Sequence, residues 1–173
     1  MWPFDFPLAR ITGNDGRMRI RAAELQDSHQ ILHIIKDAIT ANAGDHYSRE
    51  QIQAWADGFA EESIVLAIEY TESFVAETDG QIVGFGNIEI SDEVTTQIHL
   101  LYVSSQYQRR GVGTLLIKEL ESQARSAGKM SVEADVSLQA HGLFLKAGYS
   151  SREDYIKIHH GFEFPNSWVD RKL

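Results

Sequence analysis

Apolar positions recur at two spacings along this chain, and the spacing changes from stretch to stretch. Ile31, Ile34, Ile35 and Ala38 share one face at helical spacing, and either Asp27 or Ser28 can cap that helix, which runs to about residue 41. Ser48 and Gln51 form a capping box ahead of a second helix whose apolar side holds Ile52 and Trp55. A further helical stretch covers about residues 61–69. The clearest amphipathic pattern is 112–127. Leu115, Leu116, Leu120 and Ala124 make its buried stripe, while Lys118, Glu119, Glu121 and Arg125 lie mainly outside it. Gly128 follows as a natural stop. A shorter helix over 138–147 ends at Gly148.

The remaining patterned segments read as strands. The first is 18–22. Residues 74–77 and 82–86, the latter running on to about 90, flank Asp79-Gly80, a pair that favours the type I′ hairpin turn. Ser91-Asp92-Glu93 turns the chain into a strand over 95–103. A short strand over 131–135 and two more near 151–159 and 167–172 complete the pattern. This alternation predicts an α/β (α+β) sheet with helices on both faces. Residues 1–17 stand apart, with Pro3 and Pro7 followed by a Gly13-Asn14-Asp15-Gly16 linker. They read as an N-terminal extension ahead of one domain over 18–173, with Met18 as an alternative start.

Chemistry concentrates where the 95–103 strand meets the strongest helix. Gln108-Arg109-Arg110-Gly111-Val112-Gly113-Thr114 is a basic, glycine-bearing loop running into a helix N-terminus. Small residues let a backbone approach a ligand, and the free N–H groups of a first helical turn favour an anion. The third glycine of a Rossmann fingerprint is replaced by Leu116, and no lysine precedes Thr114 as a P-loop requires. No Gly-x-Ser-x-Gly nucleophile elbow occurs.

Composition narrows the options. A length of 173 residues suits one domain with a real core. Cysteine is absent, so disulfides, a thiol nucleophile and Cys-ligated zinc are excluded. A formal charge of -9 argues against nucleic acid or an anionic membrane as the main partner and is compatible with a cationic amine. No secretory signal and no membrane-length apolar run is visible, so the expected compartment is the cytoplasm. His159-His160 lacks supporting ligand spacing, and no metal is expected.

Gln-x-x-Gly-x-Gly entering a helix resembles the pyrophosphate-binding signature of the GNAT acyl-CoA N-acyltransferases. Leu101-Tyr102-Val103 resembles the apolar run before that motif. Ala140, Phe144 and Lys146-Ala147-Gly148-Tyr149 resemble the family's last helical segment, and Tyr47-Ser48-x-Glu50-Gln51-x-x-x-Trp55 is similar to one bacterial subgroup. The likeness covers about 18–173. It implies a GNAT fold, a mixed twisted sheet of six to seven strands with a splayed cofactor slot. It also implies an N-acetyltransferase that passes acetyl from acetyl-CoA directly to a primary amine, with a homodimer among the assemblies it allows. Backbone groups of Leu101, Tyr102 and Val103 would pair with the pantetheine arm. N–H groups of Arg109, Arg110, Gly111, Val112, Gly113 and Thr114 would hold the pyrophosphate behind Gln108. Either arginine side chain can join them or remain a solvated part of the loop. Ser137 and Phe144 would border the slot, which opens where the parallel strands separate after Val103.

Two departures bear on mechanism. Phe144 stands where the family often has a proton-donating tyrosine, and Ser137 and Gln97 replace its frequent asparagine and strand glutamate. The candidate bases are therefore His99, which strand alternation places on the face of Gln97 and Leu101, then Glu89, Glu133 and Asp135. His141 and Tyr149 are candidate acids. His46, Tyr47 and Trp55 are candidates for the acceptor wall, with core packing as the other role for Trp55 and a loop anchor as that for Tyr47. The missing tyrosine and glutamate also leave room for an acyl-CoA sensor without turnover, and a longer acyl-CoA is a third option.

Overall fold

The computed structural model describes residues 18–42, 44, 46–91 and 95–173. The N-terminal extension and the Asp92-Glu93 part of the expected turn lie outside the described residues. The described chain forms β1 (Arg19–Ala22), α1 (Ser28–Asn42), α2 (Arg49–Asp57), α3 (Glu61–Tyr70), β2 (Glu72–Thr78), β3 (Gln81–Glu89) and β4 (Thr95–Val103). Then follow α4 (Val112–Ser126), β5 (Ser131–Ser137), α5 (Leu138–Lys146), β6 (Ser150–His159) and β7 (Phe162–Lys172). One sheet runs in the order β1-β2-β3-β4-β5-β7-β6. Every pairing is antiparallel except β4 with β5.

Local chemistry explains the boundaries. Asp79 and Gly80 both take positive φ, as a type I′ turn demands. Ser48 Oγ accepts from Gln51 N–H at 3.2 Å, and Gln51 Oε1 accepts from Ser48 N–H at 2.7 Å, closing the expected capping box. At the start of α1 the expected cap is reassigned. Asp27 closes a short 3-10 turn by accepting from Glu24 N–H at 2.8 Å, and it also binds Arg21 at 2.6 Å. β7 begins earlier than the sequence pattern suggests. His160 and Gly161, both at positive φ, make a second two-residue turn, so Phe162 to Asn166 already pair with β6. Pro165 hides this from a sequence reading. It is tolerated because β5 ends opposite Asn166 and asks no N–H of Pro165.

Two cores cover the two faces of the sheet. α4 and α5 bury Leu116, Leu120, Ala124 and Phe144 against Val83, Ile98, Val132 and Val136. α1, α2 and α3 bury Ile31, Ile35, Ala56 and Ile64 against Val75 and Phe85. Gly84 lets α4 lie close to β3, since a Cβ there would meet Val112 at 3.0 Å and Leu116 at 3.1 Å. The helix that opens at Gly111 is thus pinned to the centre of the sheet.

Candidate active site

The sheet opens at its middle. β4 and β5 pair from Thr95↔Ser131 to Ile98↔Ala134 and then separate, although β4 continues to Val103 and β5 to Ser137. The separation therefore begins before Val103, where the sequence placed it. A bulge explains the difference. Ile88 faces Ile98 and Asn87 faces Leu100, leaving His99 as the extra residue of β4. The bulge also resets the alternation. Ile98, Leu101 and Val103 face the α4 core, while Leu100 and Tyr102 face the α1–α3 core. The expectation that His99 and Leu101 share a face by simple alternation fails for this reason. The Leu100 N–H is taken up by Asn87 Oδ1 at 2.8 Å, and Asn87 Nδ2 donates to Thr71 Oγ1 at 2.9 Å.

A cavity of about 1410 Å³ runs through this opening. Ligand pockets commonly hold roughly 300–1,000 Å³, so there is room for two ligands side by side. One end is the loop into α4. Arg109 and Gly111 take positive φ, and Gln108 Nε2 ties the loop back to the Val103 carbonyl at 3.1 Å. Arg110 lies over the Tyr107 ring at 5.3 Å. The first helical bond of α4 runs from Leu115 N–H to the Gly111 carbonyl, so Val112, Gly113 and Thr114 have no helical acceptor for their N–H groups. Asp37 of α1 braces the 3-10 turn before the loop, accepting from Ser105 N–H at 2.8 Å and from both Ser104 and Ser105 hydroxyls. Leu101, Val103, Gln108, Arg109, Gly111, Gly113 and Thr114 line this end. Ser137 and Phe144 border the β5–α5 side.

The other end carries ionisable groups. His99 lines the cavity, and its Nε2 lies 2.7 Å from Glu89 Oε2. Glu89 itself is not on the wall; it reaches the cavity through His99. Asp135, the first β5 residue past the last β4 pair, accepts from Tyr155 Oη, Lys157 Nζ and Asn166 Nδ2, each at 2.7 Å. Burial pushes its carboxyl up, but these three donors together hold it below its ordinary value. Burial and the Asp135 charge push the Tyr155 phenol up to about 12. Glu133 is two residues away on β5 but lies outside the cavity, bonded to Arg152 at 3.3 Å. The structure does not bring it to His99's site.

The acceptor candidates divide. His46 and Trp55 line the cavity, whereas Tyr47 is buried behind it and caps α5 by accepting from Leu138 N–H at 3.2 Å. Tyr47, Trp55 and Phe164 pack ring against ring at 5.4 to 5.9 Å. Tyr102, close to Trp55, has its phenol pushed up by burial. His141 bonds Ser151 and is not on the wall. Tyr149 is also off the wall, packed on Phe144 at 5.0 Å, with its hydroxyl buried beside Glu121 and no hydrogen bond of ordinary geometry. Several lining residues were not among the acceptor-wall candidates of the sequence. Lys157, His159, Phe164 and Asn166 arrive from the β6–β7 hairpin, and Phe59, Leu66 and Tyr70 from α2–α3. Starting β7 at Phe162 would have pointed to Phe164 and Asn166 alone.

A family model described as an acetyltransferase (GNAT) domain matches residues 43–165. The chain belongs to the GNAT acetyltransferase family. This GNAT protein is 31% identical over 134 residues to YafP of Escherichia coli (strain K12), described as an uncharacterized N-acetyltransferase, covering 78% of this chain and 82% of that protein. A GCN5-related N-acetyltransferase from Rhodopseudomonas palustris superposes with a TM-score of 0.83 at 26% identity, over 95% of this chain and 100% of that one. The PaiA N-acetyltransferase of Thermoplasma acidophilum, solved with coenzyme A, shares the fold with a TM-score of 0.71 at 17% identity, over 90% and 99% of the two chains. YncA of Salmonella typhimurium, solved with acetyl-CoA, does so with a TM-score of 0.70 at 18% identity, over 90% and 94%. No helix among the described residues of this GNAT domain is long and apolar enough to cross a membrane.

Proposed function

We propose that this chain transfers acetyl from acetyl-CoA to a primary amine by direct attack within a ternary complex. The observation that carries this reading is the junction of two features in one cavity. Helical N–H groups without acceptors lie at one end, and the His99–Glu89 pair lies past the β4–β5 separation. The residues fit the cofactor. The N-terminus of α4 suits a pyrophosphate, and the open space at Gly111 lets an anion approach. The unpaired edges of β4 and β5 suit an amide-bearing arm that hydrogen-bonds as an added strand. Arg109, on the same wall, adds positive charge.

Bound acetyl-CoA supplies the thioester carbon. The chain's own groups do the rest. A free alkyl ammonium titrates near about 10.4, so the acceptor must lose a proton before its nitrogen can attack. His99 takes that proton, and Glu89 fixes the ring and stabilises the imidazolium. A β4 N–H on the separated edge faces the developing oxyanion. As the new C–N bond persists, the C–S bond breaks, and the departing thiolate takes up the second proton that the nitrogen sheds. Thiols titrate near about 8.5, so departure tolerates Phe144 in place of a donor. Calorimetric titration with acetyl-CoA, paired with CoA release across an amine panel, tests the reading. Micromolar binding with release for one amine class is expected. Binding without any turnover would instead favour a sensor, and no binding would overturn the cradle.

A further inference from the structure

The acceptor half of the cavity has a charge pattern that its overall composition hides. The chain carries a formal charge of -9, yet among the described residues lining the cavity Asp135 is the one carboxylate. That carboxylate is 11% exposed and already accepts from Tyr155 and Asn166. Its third partner, Lys157, is 50% exposed and stands on the cavity wall. An ammonium has three N–H donors, and the bond to Asp135 uses one. Asp135 therefore acts as a mount that holds a cationic donor facing the acceptor space. Such a wall disfavours polyamines and aminosugars, whose extra ammonium groups need acidic partners. Aromatic and apolar surface on the same wall comes from Trp55, Phe59, Leu66, Tyr70 and Phe164.

We propose that the acceptor is an amine carrying its own carboxylate and an aromatic body, as in an aromatic α-amino acid, with Lys157 binding the carboxylate. Its amine then lies toward His99, across the opening that begins just past the Ile98–Ala134 pair. The inference rests on the transferase reading of this cavity and names the substrate class for it. Lys157 is a specificity residue here and takes no part in proton transfer.

The test is calorimetry on the full chain saturated with CoA. L-phenylalanine, L-tyrosine and L-tryptophan are titrated against phenethylamine, tyramine and tryptamine, which lack only the carboxylate. The expected result is at least a tenfold preference for one amino acid over its amine. Lys157→Met should erase that preference while CoA affinity stays unchanged, and Lys157→Arg should retain it. Amines binding as tightly as amino acids would overturn the proposal. So would an unaltered preference in Lys157→Met, or no binding of either series to a protein that does bind CoA. Should Lys157→Met fail to fold, the comparison within the wild-type protein still decides. Failure of the wild-type protein to bind CoA is a separate result and would overturn the transferase reading together with this subsite.

Discussion

Replacing Gly111 by tryptophan tests the cradle because the structure separates two effects there. Gly111 sits at φ +86°, and a Cβ built on it has no heavy atom within 4 Å. Any L-residue therefore costs about 1–2 kcal/mol of left-handed strain without a clash. For a chain of this size that corresponds to a melting temperature lower by about 2–8 °C, which leaves the fold intact. Gly111→Ala should show this strain alone. Gly111→Trp adds an indole in the open space before the N–H groups of Val112, Gly113 and Thr114. Each hydrogen bond to a charged group is worth about 1.5–3 kcal/mol, so losing two removes about 3–6 kcal/mol. At about 1.4 kcal/mol per decade, CoA affinity should fall by about 10²- to 10⁴-fold. The assay is calorimetric titration with CoA beside a thermal melt of each variant. A tryptophan variant that binds CoA within tenfold of wild type would refute the cradle. Equal losses for alanine and tryptophan would place the effect in backbone strain instead of occlusion.

Other outcomes follow from the same geometry. His99→Ala should leave CoA affinity unchanged and lower kcat by about 10²-fold or more, with Glu89→Gln intermediate, since general-base catalysis typically supplies that much; an unaltered rate in steady-state CoA release would remove His99 as base. Arg21, bonded at 2.6 Å, holds the Asp27 carboxyl below its ordinary value against the opposing effect of burial. Folded Asp27 therefore binds its proton less readily than unfolded Asp27. Its stabilisation is complete above the unfolded value of about 3.9 and is lost as pH falls through the folded one. Urea midpoints of wild type and Asp27→Asn should accordingly differ most near neutral pH and converge in acid, and a constant gap would contradict the pairing.

Much of the secondary structure was legible because its signals are local. A type I′ turn needs two residues at positive φ, and Asp79-Gly80 states that need within its own dipeptide. The Ser48–Gln51 box and the left-handed Gly128 after α4 are likewise written within a turn of chain. Asp27 was misread for a local reason, the Glu24 N–H three residues back, whereas the start of β7 was missed for a nonlocal one. The first half of β7 looks broken by Pro165 until β5 is seen to stop beside it.

The sequence by itself determined the class of protein and the loop proposed as the anion cradle. A strand, a glycine-bearing basic turn and an amphipathic helix are contiguous, and local propensity orders them without help. Tertiary structure alone decided the rest of the site. The bulge at His99 exists only against β3, since a register shift is a relation between two strands. It turns His99 to Glu89, and past it β4 and β5 part. Asp135 and Glu133 are alike in sequence and both bond to β6 side chains, yet only Asp135 reaches the cavity. Lys157 and Trp55 lie far apart along the chain and share one wall because the sheet order sets β6 and β7 beside β5 and folds α2 against β7. Periodicity reports which side of an element is buried; it carries no information about which distant element buries it.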